Sequence, residues 1–377
     1  MSTALMNTPD QAGKRRRGRA PRVASVILAG LAVTAGALYF TGMYGSGTED
    51  APPAQLCDGL VQRDDRDLQW LLGAREPSAA DVITDRTSDE PRECDFSPRA
   101  SGTGVRYEEL DITVSRSAGS RYLLLELGRQ QSDNAAFTVS PIGNGWRGVL
   151  HTDPGASRAT VVMLCEGDEP SDLTVNLTGR PAGYEGKDPT DEQRARLARL
   201  TSRIAVRAAQ QAGCKAPHGD TIDTVADPIP SPVDNTEPEA VPSGKATGTC
   251  EGVPAPTLET RADPLAPIED CVVIGKAGKP ASRLAAYYGP FVRDGYAATY
   301  KRGDSGRFSG PAGGADGVYW ASAKCPAQGG TAFFTSETLY TGDGHTSPDP
   351  DLQQSALQRF AERSAKAHGC EAPVFSE

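Results

Sequence analysis

Eight cysteines arranged as two sets of four constrain this chain more than any other feature of its sequence. Each set closes on an alanine-rich helical pattern that ends Gly-Cys-x-Ala-Pro, first as Gly213-Cys214-Lys215-Ala216-Pro217 and again as Gly369-Cys370-Glu371-Ala372-Pro373. Recurring tetrads with a shared ending read as a duplicated module stapled by disulfides, and such staples persist in oxidising compartments. The third-to-fourth intervals are close, 49 and 45 residues, whereas the first-to-second intervals are 37 and 21. Aligning the two Gly-Cys ends places Ile204 over Phe360, Ala205 over Ala361 and Ala209 over Ala365. Duplication is therefore expected in the C-terminal halves of the modules. Four cysteines allow three pairings per module, and the sequence alone leaves all three open. Our reading is Cys57–Cys94 with Cys165–Cys214, then Cys250–Cys271 with Cys325–Cys370, which pins an opening segment to a strand and the last helix to a hairpin. No Cys-x-x-Cys or Cys-x-x-His pair exists to hold zinc, and no cofactor is expected.

The charge is divided unevenly. Residues 1–22 carry six basic residues against Asp10, a net of +5, which leaves −15 on the rest of a chain whose formal net charge is −10. An acidic body repels phosphate backbones and argues against nucleic acid as partner, while the basic tail suits an anionic membrane face. Val23 to Tyr44 then runs without a charge and as a helix would reach about 33 Å, enough to cross a hydrocarbon core of about 30 Å. Arginines before it orient the N-terminus inside, with Tyr39, Phe40 and Tyr44 at the outer interface. Ala35-Gly36-Ala37 keeps a cleaved signal peptide open as an alternative. The expected localisation is thus the plasma membrane, single-pass, with the bulk of the chain extracytoplasmic.

Residues 45–54 read as a tether, 55–217 as a first module, 218–249 as a linker and 250–377 as a second module. In the first, Asp65 to Gly73 has the form of a capped helix, a strand-rich middle begins at Cys94-Asp95-Phe96, and a closing helix starts at Thr190 with Gln193 completing a capping box. Tyr122 to Leu127 and Ala159 to Cys165 read as further strands. Ala216 to Thr249 holds six prolines and six acids and no aromatic residue, so it cannot fold alone and reads as flexible and extended. In the second module Cys271 to Ile274 and Val318 to Cys325 read as strands, Ser282 to Tyr288 as a helix, and Asp349 as the cap of a last helix with Pro350 in its first turn. The expected fold class is α+β, each module a curved antiparallel sheet under a C-terminal helix.

Signs of chemistry are sparse. Gly303-Asp304-Ser305-Gly306 has the form of the segment around a serine-protease nucleophile, but Arg307-Phe308 follows it and no histidine lies between Cys250 and Ser305. It reads as a polar turn, with an exported hydrolase using Ser305 as the alternative. Gly143-Asn144-Gly145-Trp146-Arg147-Gly148 satisfies Gly-x-Gly-x-x-Gly yet leads into a strand, so it reads as a hairpin rather than a phosphate loop. The four histidines show no catalytic or metal spacing, and acid pairs such as Asp64-Asp65 and Glu108-Glu109 read as solvated faces. Trp146, Trp320, Tyr319, Tyr287 and Tyr288 are the rings that would line a groove or, more simply, pack a core.

Cys57-Asp58-Gly59-Leu60, the Leu68 to Gly73 segment, Cys94-Asp95-Phe96 and the final helix of the first module together resemble the lipoprotein-type extracytoplasmic domains of unknown function found in actinobacteria. The resemblance implies a compact α+β fold outside the membrane and no particular reaction. The expected function is accordingly a membrane-anchored binding or interaction module at the cell envelope, not an enzyme, whose partner is a protein or cell-wall component.

Overall fold

The computed structural model describes residues 55–73, 77–82, 92–98, 107–116, 138–153, 156–166, 172–181, 189–229, 239–275, 278–292, 310–315, 317–328, 330–341, 344–345 and 349–376. The basic tail, the apolar span 23–44, the tether, Tyr122 to Leu127 and Gly303 to Gly306 lie outside them. No helix among the described residues is long and apolar enough to cross a membrane.

The first lobe opens with a small hairpin, β1 (Gln55–Leu56) and β2 (Val61–Gln62), followed by helix α1 (Arg66–Leu72). The Asp65 carboxylate caps α1 by accepting from the Asp67 and Leu68 N–H groups, and Gly73 ends it at a φ of 61°. Strands β3 (Pro77–Val82), β4 (Arg92–Pro98), β5 (Tyr107–Arg116), β6 (Ser140–Pro141), β7 (Gly148–Asp153), β8 (Ala156–Met163) and β9 (Leu173–Pro181) form one antiparallel sheet in the order β3-β4-β5-β9-β8-β7-β6. Helix α2 (Asp191–Gln211), begun by the Thr190–Gln193 capping box, lies across it. Alternation does the sorting: Leu110, Ile112, Val161, Val175 and Leu177 face Leu197, Leu200 and Ile204 of the helix in one core.

The second lobe has strands β10 (Thr257–Glu259), β11 (Ile268–Ile274), β12 (Pro280–Tyr287), β13 (Gly313–Ala315), β14 (Val318–Cys325) and β15 (Gly330–Thr338) in the order β10-β11-β12-β15-β14-β13, again all antiparallel. A short hairpin, β16 (Tyr340–Thr341) and β17 (Gly344–His345), precedes helix α3 (Pro350–Ala367), capped by Asp349. The segment read as a helix around Ser282 to Tyr288 is strand β12. Its alanines suggest helix by propensity, but β12 is an inner strand hydrogen-bonded to β11 and β15 and buried on both faces, which removes the polar alternation that marks a strand.

The strand orders of the two sheets match position for position once β6 is set aside. So do the staples. Cys57–Cys94 and Cys250–Cys271 each tie an opening segment to the second strand of its sheet, while Cys165–Cys214 and Cys325–Cys370 tie a helix end to a strand end. Both Gly-Cys endings are Schellman turns: Gly213 and Gly369 have φ of 67° and 70°, and the Cys214 and Cys370 N–H groups reach back to the carbonyls of Ala209 and Ala365. The glycine is needed because L side chains rarely adopt that φ, and the turn aims the next residue, cysteine, at the sheet.

The lobes are joined by more than chain. Val139, Val149 and Val162 of the first lobe share a buried cluster with Ala266, Ile268, Ala285, Tyr287, Phe291, Trp320 and Phe333 of the second. The fully buried Asp270 accepts the Val139 N–H across this contact at 2.7 Å. The stretch read as an extended linker is packed where it is described: Ile222 and Val225 enter the first core, Ile229 joins Leu258, Val272 and Ile274, and Val241 pairs with Thr257. Its composition forbids folding alone, but a few isolated apolar side chains suffice to dock it on cores that already exist.

Candidate functional site

A groove of about 590 Å³ lies on the first lobe, between α2 and the segment following its disulfide. Trp146, from the glycine-rich turn between β6 and β7, forms the floor, with its indole Nε1–H donated to the Asp220 carbonyl at 2.7 Å. The exposed His218 ring stacks on it, centroids 5.8 Å apart. Residues 218–222 form a strap held to that turn, since Asp220 N–H donates to the Asn144 carbonyl and Asn144 Nδ2 donates to the Thr221 carbonyl. Gly143, Asn144 and Gly145 all have positive φ, which sets the turn. A Cβ on Gly219 would lie 2.4 Å from the Asn144 oxygen, so the strap fits only as glycine there. Gly143 to Gly148 is thus a hairpin turn entering β7, with no helix N-terminus for a phosphate.

Helix α2 supplies the other wall through arginines at one face, i, i+4 and i+8: Arg199, Arg203 and Arg207. Two of them are neutralised. Arg203 grips Asp65 through Nε at 3.0 Å and Nη2 at 2.7 Å, and Asp67 receives Arg196, Arg199 and Arg203 within 2.9 to 3.2 Å. Burial alone would raise the Asp67 carboxyl, but the hydrogen bonds and charges of Arg199 and Arg203 outweigh it and hold it below the usual carboxylate range. Asp65, read from sequence as part of a solvated acid pair, is therefore both helix cap and ion-pair partner. Arg207 differs: it donates Nη1 to the Leu60 carbonyl and meets no carboxylate among the described residues.

A second polar cluster is buried in the other lobe. The Glu269 carboxylate accepts from Arg363 and Ser364, both at 2.6 Å, Ser364 shares a hydrogen bond with the Tyr288 hydroxyl, and His368 stacks flat on Tyr288 with its two ring nitrogens facing the Ser364 and Ala266 carbonyls. Burial, then the Glu269 charge, pushes the Tyr288 hydroxyl well above its ordinary value. Ser364, Tyr288, Glu269 and His368 are all buried. The cluster ties α3 to β11 and to the end of β12 through side chains shut away from solvent. On the first sheet Asp95 and Asp111 stand opposite each other beside Glu109, and burial followed by those two like charges pushes Asp111 up to about 7.

Of the rings that sequence offered for a groove, Trp146 lines one. Tyr287, Tyr288 and Trp320 are buried in the second lobe, and Tyr319 packs half-buried beside its core. Asn176 is buried with Nδ2 bonded to Thr178, and His151 is buried with Nδ1 at the Thr138 carbonyl. Ser305 lies outside the described residues. No group of acids, histidines and cysteines among the described residues has the arrangement of a metal site. Sequence reasoning missed the arginine face and the strap, whose signal was the 199-203-207 spacing. No protein-family model matches this chain, and neither a curated protein nor a solved structure is similar to it.

Proposed function

We propose that this protein is a binding module of the cell envelope, anchored through residues 23–44 with its basic N-terminus in the cytoplasm and its two lobes outside. The observation that carries the reading is that all eight cysteines are paired and none is free, which a reducing compartment does not sustain. The matching strand orders and staple positions support descent of the two lobes from one duplicated unit, in line with the extracytoplasmic domains the sequence resembles. The shared buried cluster and docked connecting segment support a head that presents its surface as one body. Bivalent reach on a loose tether, the advantage a flexible linker would give, is not what such a contact favours.

The partner is a protein or cell-wall component rather than nucleic acid, in keeping with the acidic body. Labelling intact cells with a membrane-impermeant amine reagent tests the placement. The exposed Lys215, Lys245 and Lys366 are expected to react before lysis; reaction only after lysis overturns the reading.

A further inference from the structure

We propose that the groove between α2 and the 218–222 strap is a binding site for a small organic anion, its acid group held by Arg207 and its flat or apolar body laid against Trp146 and His218. The inference rests on the reading of the protein as a binding module and names the class of ligand. Its size is right, since about 590 Å³ falls within the range of small-molecule pockets.

The charge pattern selects an anion and places it. Asp65 and Asp67 absorb Arg199 and Arg203, so among the described residues the groove cation without a carboxylate partner is Arg207, half-buried, with Nε and Nη2 beyond its bond to the Leu60 carbonyl. Partial burial strengthens a charge-assisted bond made there. Asp220 on the strap side keeps a carboxylate or phosphate group toward the helix. A second observation points the same way: Ser202 lines the groove, is buried, and its hydroxyl has no hydrogen-bond partner among the described residues. A buried hydroxyl without a partner costs free energy that an acceptor on a bound ligand recovers.

The remaining walls are set before a ligand arrives. Trp146 is oriented by its bond to the Asp220 carbonyl, the strap by its bonds to Asn144, and the helix by the Cys165–Cys214 staple. A preorganised site loses little ordering entropy on binding. His218, exposed and stacked on the indole, extends the flat floor.

The test uses the full chain in detergent micelles with its three tryptophans replaced by 5-fluorotryptophan, assigned through Trp70→Phe and Trp320→Phe. Fluorine NMR then follows titration with benzoate, its cationic counterpart benzamidine, and inorganic phosphate. Benzoate is expected to shift the Trp146 resonance saturably and leave Trp320 unmoved, phosphate to compete with it, and benzamidine to do neither. Arg207→Gln is expected to weaken benzoate about tenfold or more, the loss of one charged hydrogen bond. His218→Ala, an exposed position that carries no fold, provides a second variant and is expected to weaken it as well. No saturable shift, an equal response to benzamidine, or full affinity in both variants overturns the proposal. Absence of a shift in protein that is labelled on intact cells overturns the ligand site alone; a shift in protein that is labelled only after lysis overturns the envelope reading alone.

Discussion

Arg283 and Glu337 stand opposite each other on β12 and β15, joined Nη2 to Oε2 at 3.1 Å with 0% and 3% of their side chains exposed. Replacing Glu337 by glutamine keeps the shape and removes the charge, leaving a guanidinium in a site that water does not reach. Breaking a buried pair from one side costs about 3–5 kcal/mol, a large share of the roughly 5–15 kcal/mol that holds a domain. Replacing both partners, as Arg283→Met with Glu337→Leu, removes the desolvation penalty along with the attraction. That variant is expected to lie within about 1 kcal/mol of the parent or above it. Urea unfolding followed by far-UV circular dichroism on the parent, Arg283→Met, Glu337→Leu and the double variant gives the coupling directly, expected at about 3 kcal/mol or more. About 1 M salt is expected to leave it unchanged, because screening acts on exposed charges. A single-variant cost below about 1 kcal/mol, or a double variant as unstable as the two losses added, refutes the reasoning.

Asp111, pushed to about 7 in the folded protein from 3.8, makes folding progressively less favourable as pH rises from about 4 to 7, since folding must take up a proton that the unfolded chain has already lost. Its side chain is 25% exposed, so after discounting for solvent the Asp111→Asn variant is expected to be more stable at pH 8 by on the order of 2 kcal/mol, with the gain gone below about pH 4 in parallel denaturation curves. The loop of 49 residues closed by Cys165–Cys214 implies a loss of about 4 kcal/mol when both cysteines become alanine, against about 3 kcal/mol for the loop of 21 closed by Cys250–Cys271; thermal melts that rank them in reverse count against the chain-entropy reasoning. Gly213→Ala and Gly369→Ala, at positive φ with open space around the added carbon, are expected to cost about 1 kcal/mol each and equally, as read by the same melts.

What could be read from sequence is what depends on neighbours in the chain. Asp65, Thr190 and Asp349 announce helix starts, and Gly213 and Gly369 announce helix ends, because capping is decided within a turn. The bridges join consecutive cysteines, as the reading adopted from the order of the elements expected. Strand β12 reads as a helix, since its register between β11 and β15 is a long-range fact and its alanines favour the other state. The groove shows the same division. The arginine spacing on α2 is local, whereas the pairing of Asp65 and Asp67 with Arg203 and Arg199 spans over 130 residues, and it decides which cation is left for a ligand. The strap was hidden by composition: Ile222 and Val225 are two apolar residues among acids and prolines, and only the core they enter gives them meaning.

The account turns on the state of the cysteines in the cell. Protein taken from its native cells, with thiols blocked at the moment of lysis, and digested without reduction gives the most direct measurement. The account predicts four linked peptide pairs, Cys57 with Cys94, Cys165 with Cys214, Cys250 with Cys271 and Cys325 with Cys370, and no blocked thiol. Recovery of the same eight cysteines as blocked, unlinked peptides would contradict it.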